Sequence, residues 1–195
     1  MKFFLAIFFI FACFISNAQT STEELQHNID SIFKTTQGDF AIAFKDLSEE
    51  KNSIYINHHE DFHSASTMKT PVMIEVFKQA SAGKFSLQDS LIIKNQFKSI
   101  LDDSSYSLEL GRDSGEHLYE QIGQKRSIEN LVTDMIIYSS NLATNIIIEL
   151  VDAKNVNKTM RNLGAKNIDV LRGVESTTTV EAGLSNSRYR KCSKS

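Results

Sequence analysis

In the stretch FHSASTMKTPVMIEVFKQ, residues 62–79, the hydroxyl of Ser66 is followed three positions later by the amine of Lys69. A serine hydroxyl becomes a nucleophile when a neighbouring base takes its proton, and a neutral lysine is such a base. The spacing is not selective by itself, because it occurs four times: Ser31/Lys34, Ser48/Lys51, Ser66/Lys69 and Ser81/Lys84. Ser31 lies in an amphipathic stretch, Ser48 in a polar turn and Ser81 beside Gly83. Only Ser66 opens a predicted helix, directly after the small residues Ser64 and Ala65. There, positions three apart share a face, and the free N–H groups of the helix start favour an alkoxide and a developing oxyanion. Val72 and Met73 behind the pair would desolvate the amine and make it a better base. The competing reading is a serine N-cap followed by a surface lysine.

A second constellation lies in MIIYSSNLATNIII, residues 135–148. Ser139 and Asn141 occupy a polar break between two apolar segments. A hydroxyl and an amide presented there can relay a proton and hold a substrate amide. Ordinary helix capping by Ser139 or Ser140 is the alternative.

The elements that must position these groups follow from the patterning. Residues 21–34 read as an amphipathic helix capped by Ser21 or Thr22, with Leu25, Ile29, Ile32 and Phe33 on one face. Segments 39–47 and 52–57 read as a β-hairpin, with Phe40, Ile42 and Phe44 alternating. The helix after Ser66 ends near Gly83, and 89–94 is a short extended piece. Residues 95–126 are polar and weakly patterned. Helices are predicted over 127–138, 140–152 and 155–163, the last stopped by Gly164. The final nine residues, SRYRKCSKS, are basic and carry no helix or strand signal.

A chain of 195 residues with 41% hydrophobic and 23% charged residues suits one domain with a packed core. A net charge of −3 argues against nucleic-acid binding through bulk electrostatics. The start, MKFFLAIFFIFACFISNAQ, has one lysine, an apolar run and small residues near Ala18, so residues 1–18 read as a secretory signal peptide. The expectation is export to a periplasm or the medium, with no membrane anchor after cleavage. Cys13 would leave with the signal and Cys192 would have no partner. His58, His59 and His63 lack the carboxylate or cysteine companions of a metal site, so no metal is expected.

Taken together, SASTMKTPVMIEVFK and YSSNLATN resemble the class A β-lactamase and penicillin-binding serine acyltransferase superfamily, in which Ser-x-x-Lys and Ser-Asp-Asn are the first two motifs. DSSYSLE, residues 103–109, and NLGAKNIDVLRGVE, residues 162–175, extend the resemblance, which runs from about residue 20 to 184. It implies an α/β (α+β) fold with a helical domain and an antiparallel sheet. It implies Ser66 as the acylated nucleophile, Lys69 as its proton acceptor and Ser139 as the donor to the lactam nitrogen. Asn141 would bind the substrate's side-chain amide, Tyr106 would stand as an aromatic gate, and no cofactor is needed. The implied partner is a small β-lactam, bound by a monomer.

Three departures qualify that expectation. Ser140 stands where the motif has Asp, with an expected loss of loop bracing. The deacylating residue of the pattern Arg-x-Glu falls one place late in Arg172-Gly173-Val174-Glu175, so Glu175 is the candidate and Glu181 the reserve. No Lys-Thr-Gly follows Asn141, since Lys158-Thr159-Met160 lacks the glycine. The sheet is therefore expected to be incomplete, residues 19–186 to form the N-terminal part of the hydrolase domain, and 187–195 to be an aberrant tail. Alternative readings are a D,D-peptidase-like penicillin-binding protein and a non-catalytic fragment of the fold.

Overall fold

The computed structural model describes residues 21–99, 103–171 and 173–174, together with the backbone of 187–189. The chain divides into two compact units, Met1–Glu60 and Asp61–Ser195.

In the first unit, α1 (Thr22–Thr35) begins at Ser21, whose hydroxyl accepts from the Glu24 N–H, with Glu23 and Glu24 in the first turn. β1 (Ile42–Phe44) and β2 (Ile54–Ile56) form an antiparallel hairpin with Ile42 opposite Ile56. The Asp46 carboxylate accepts from the backbone N–H groups of Ser48 and Glu49, which closes the loop locally. The predicted alternation is weaker than expected: Phe44 and Tyr55 are exposed, and no residue of α1 is buried. Phe33 and Phe40 stack at 4.7 Å.

The second unit is helical with small sheets. A 3₁₀ turn over Ala65–Met68 runs directly into α2 (Lys69–Ser81). β3 (Ser90–Ile92), β4 (Phe97–Lys98), β5 (Ser105–Tyr106) and β6 (Lys125–Ser127) follow. Then come α3 (Ile128–Ile137), α4 (Asn141–Val151), α5 (Ala153–Asn162), β7 (Ile168–Val170) and β8 (Ser187–Tyr189). Among the described residues every sheet has two antiparallel strands: β1 with β2, β3 with β6, β4 with β5, and β7 with β8. The fold is thus of the expected α/β class, with small antiparallel sheets among the described residues. The weakly patterned stretch 95–126 contains β4, β5 and the start of β6, and β8 lies in the basic tail where the sequence carries no strand signal.

The core centres on α4, which is buried nearly all round, with Leu142, Ala143, Ile146, Ile147, Ile148 and Val151 supplying its apolar surface and Thr144 and Asn145 buried among them. Leu142, Ile147 and Val151 of α4 are inaccessible, as are Val72 and Val76 of α2 and Leu131 and Met135 of α3. Burying side chains of this size contributes about 1.5–3 kcal/mol each. The helices that carry Lys69 and Asn141 and flank Ser66 and Ser139 are therefore also strongly packed elements.

Candidate active site

Ser66 sits one residue into the 3₁₀ turn rather than at the cap of an α-helix. In a 3₁₀ turn positions i and i+3 eclipse, which brings Lys69 over Ser66. The preceding Ala65 has a left-handed backbone, φ 44°, and its N–H donates to His63 Nδ1 at 3.1 Å. Thr67 N–H donates to the Ser64 carbonyl at 3.0 Å and closes the turn.

The Lys69 amine lies 3.3 Å from Ser66 Oγ, 3.0 Å from Ser139 Oγ, 2.6 Å from the Ser139 carbonyl and 3.1 Å from Asn141 Oδ1. Ser139 Oγ stands 2.9 Å from Ser66 Oγ. Two hydroxyls and one amine therefore form a closed triangle of possible proton donors and acceptors. Only 3% of Lys69 is exposed. Burial lowers its pKa from the ordinary 10.5 to about 8, against an opposing pull from the Asp113 carboxylate. Roughly a tenth of the amine is then neutral at pH 7, enough to serve as a base.

The two serines of the break divide its work. Ser140 is fully buried and caps α4, accepting from the Ala143 N–H at 3.2 Å, while its carbonyl accepts from the Thr144 hydroxyl at 2.6 Å. Ser139 is left to face Lys69 and Ser66. Its backbone is left-handed, φ 55°, an arrangement that costs a non-glycine residue about 1–3 kcal/mol and that surrounding contacts must hold.

Lys69 and Ser66 bond Ser139 directly, and the residues that follow it are held by Asp113, which the sequence does not single out. This carboxylate is 5% exposed. Its Oδ1 accepts from Asn141 N–H at 2.9 Å and from Gly115 N–H at 2.9 Å. Its Oδ2 accepts from Leu142 N–H at 2.8 Å and from the Tyr119 hydroxyl at 3.0 Å, with the Ser140 hydroxyl further off at 3.5 Å. The expected loss of bracing at Ser140 is therefore corrected: a carboxylate holds the turn, but from another segment. The signal was the Asp-x-Gly of residues 113–115, an Asx turn in which Gly115 N–H bonds the side chain two residues back.

Tyr106 lies on β5 and is half-buried, and its ring packs 5.8 Å from that of Phe97. Its hydroxyl donates to the Val174 carbonyl at 3.1 Å and accepts from Asn145 Nδ2 at 3.3 Å. Asn145 brackets Val174 from both sides, donating to its carbonyl at 2.7 Å and accepting from its N–H at 2.6 Å. Asn145 is 2% exposed on α4, so its amide needed such partners. A cleft of about 380 Å³ opens beside this clamp, lined by Phe97, Tyr106, Ile148, Leu171 and Gly173 among others. It does not include Ser66 or Lys69; the arrangement around Lys69 rests on the hydrogen bonds, not on that cleft. Glu175 and Glu181 lie outside the described residues.

A family model described as the Beta-lactamase enzyme family matches residues 24–192. Among solved structures, a beta lactamase from Xanthomonas campestris pv. campestris superposes with a TM-score of 0.64 at 19% identity, over 79% of this chain and 53% of its own. The TLA-1 extended spectrum beta-lactamase gives 0.65 at 17% identity, over 86% and 58%. PBP-A gives 0.60 at 19% identity, over 85% and 56%. At these identities the likeness is one of fold. The chain spans a little over half the length of these three structures. No curated protein matches it.

Proposed function

The chain belongs to the β-lactamase enzyme family, and on that premise we propose that it is a serine hydrolase of cyclic amides, acylated by β-lactams at Ser66. The observation that carries this reading is the buried Lys69 amine, 3.3 Å from Ser66 Oγ and 3.0 Å from Ser139 Oγ. Neutral Lys69 takes the Ser66 proton as Oγ attacks the lactam carbonyl carbon. The tetrahedral intermediate collapses with cleavage of the C–N bond. Ser139 gives its proton to the departing nitrogen, and the Lys69 ammonium returns one to Ser139, so the acyl-enzyme forms with Lys69 neutral again. Asn141, fixed by its contact with Lys69, presents its amide to the substrate's side chain. Water then releases the acyl group, with Glu175 or Glu181 as the base.

In its setting, the reading is of an exported monomer that protects its host from β-lactam antibiotics in the periplasm or medium, without cofactor, metal or nucleic acid. Among the described residues no helix is long and apolar enough to cross a membrane.

A D,D-peptidase-like reading, with acylation but slow release, draws support from one observation. The residue two places after Arg172 is Val174, and it is Val174 whose backbone Asn145 holds. Its side chain has no carboxylate to activate water. Intact-mass spectrometry of residues 19–195 with a penicillin, beside Ser66→Ala, tests both readings. A drug-sized adduct absent from the variant supports acylation at Ser66. Its decay distinguishes hydrolase from peptidase. A folded protein that forms no adduct is a non-catalytic member of the family.

A further inference from the structure

We propose that Asp113 is the positioning residue of this site: its carboxylate clamps the turn at 139–141 against Lys69 and replaces the acid that position 140 does not carry. The role is geometric, and the rate effects below rest on the acylation reading given above.

The N–H groups of Asn141 and Leu142 are the first two of α4, and a helix cannot satisfy its own first N–H groups. The Ser140 hydroxyl serves the third, that of Ala143, and its carbonyl the fourth, that of Thr144. Asp113 supplies one oxygen to each of the remaining two, at 2.9 and 2.8 Å. The positive end of α4 favours a negative charge at that point. Two further donors, Gly115 N–H and the Tyr119 hydroxyl, complete the shell. A buried carboxylate is tolerable when donors surround it in this way. The result is a rigid link between a turn near residue 113 and the backbone that bears Ser139 and Asn141.

Position 140 explains why the acid stands elsewhere. Ser140 Oγ is 3.5 Å from Asp113 Oδ2, so an acid at 140 would share one buried volume with Asp113. Two carboxylates there would repel. A Cβ on residue 115 would meet Ser140 Cβ and Oγ at 2.4 Å, so the 113–115 turn fits against a small residue with no side chain of its own at Gly115. The single carboxylate thus has two alternative attachment points, 113 and 140, of which this chain uses the first.

The test moves the acid. Asp113→Asn, Tyr119→Phe and the double variant Asp113→Ala/Ser140→Asp are compared with the intact chain by two readouts. One is the pseudo-first-order acylation of Ser66 by a fluorescent penicillin, resolved into binding and acylation constants. The other is the backbone amide resonances of Asn141 and Leu142, which need no activity. Asp113→Asn leaves one N–H facing an amide, so acylation falls on the order of 100-fold with binding little changed, and both resonances move. Tyr119→Phe, which keeps the carboxylate, gives a smaller loss and a shift at Leu142. The double variant recovers the rate to within about tenfold and restores the downfield resonances. Wild-type acylation with unmoved resonances in Asp113→Asn overturns the proposal, as does a folded double variant that recovers neither readout. If Asp113→Asn does not fold, the double variant decides on the same criteria. If the intact chain does not acylate, the functional reading falls and the amide resonances alone decide the clamp.

Discussion

Lys69 Nζ lies 2.6 Å from the Ser139 carbonyl oxygen, closer than to any of its three side-chain acceptors. This backbone contact orients the amine without consuming either serine hydroxyl. Lys69 is thereby held between Ser66, which must lose a proton, and Ser139, which must pass one on. A lysine fixed only by Ser66 would swing away once that hydroxyl became an ester; one fixed by the turn itself stays in place for the second transfer.

The pH dependence of acylation follows from the lowered Lys69 pKa of about 8. The reactive form is the neutral amine, so the limiting acylation rate constant should rise about tenfold per pH unit below 7 and level off above about 8. Stopped-flow measurement with a chromogenic β-lactam at saturating concentration checks this. A rate flat between pH 6 and 9 would remove Lys69 as the base.

Stability should carry the same signature. Lys69 binds its proton less tightly in the folded chain, about 8, than in the unfolded chain, 10.5. Between those values the unfolded state holds more protons, so the Lys69 contribution to stability rises with pH across that window and is least favourable below 8. Lys69→Met removes this titration, so the stability of the parent relative to the variant should rise between pH 7 and pH 10.5, on the order of 3 kcal/mol, whatever the variant loses with the four hydrogen bonds of the amine. Urea denaturation at pH 7 and 10 reads it directly.

Ser139→Ala removes the proton relay but leaves the carbonyl that holds Lys69. Acylation should fall by about 10²- to 10⁴-fold, while the Lys69-dependent pH profile keeps its midpoint. Intact-mass time courses measure the first and stopped flow the second. A midpoint displaced by more than a unit would show that the hydroxyl, and not the carbonyl, sets the environment of the amine.

Much of this was legible in the residues because it is local. α2, α3, α4 and α5 were readable from 3.6-residue apolar spacing, since each buries one side or more against the others. Ser66, Lys69, Ser139 and Asn141 stood at the ends of those helices, where packing brings them together. Asp113 was legible from its Asp-x-Gly spacing as an Asx turn, but not as part of the site. Its partners, Asn141 and Leu142, are backbone N–H groups far along the chain, and no residue type marks a backbone donor. The strands at 97–98 and 105–106 were equally hidden, because two-residue pairing leaves no alternation to detect. Ser140 looked like a loss only because the carboxylate that replaces it is distant in sequence.

Gly115 provides a sharp packing prediction. An added Cβ would lie 2.4 Å from both Cβ and Oγ of Ser140 and 3.1 Å from its Cα. Side-chain rotation cannot relieve contact with Cβ and Cα, so the 113–115 turn or the start of α4 must shift. Gly115→Ala should destabilise by about 1–3 kcal/mol and slow acylation, because either shift disturbs the Asp113 bonds to Asn141 and Leu142 that hold the backbone beside Ser139. Adding Ser140→Gly removes the two nearest atoms and, as glycine is a tolerable N-cap, loses only a few tenths of a kcal/mol at that end. The double variant should therefore be more stable than Gly115→Ala alone. Denaturation midpoints of the three variants decide it, and equal midpoints for the single and double changes would locate the strain elsewhere.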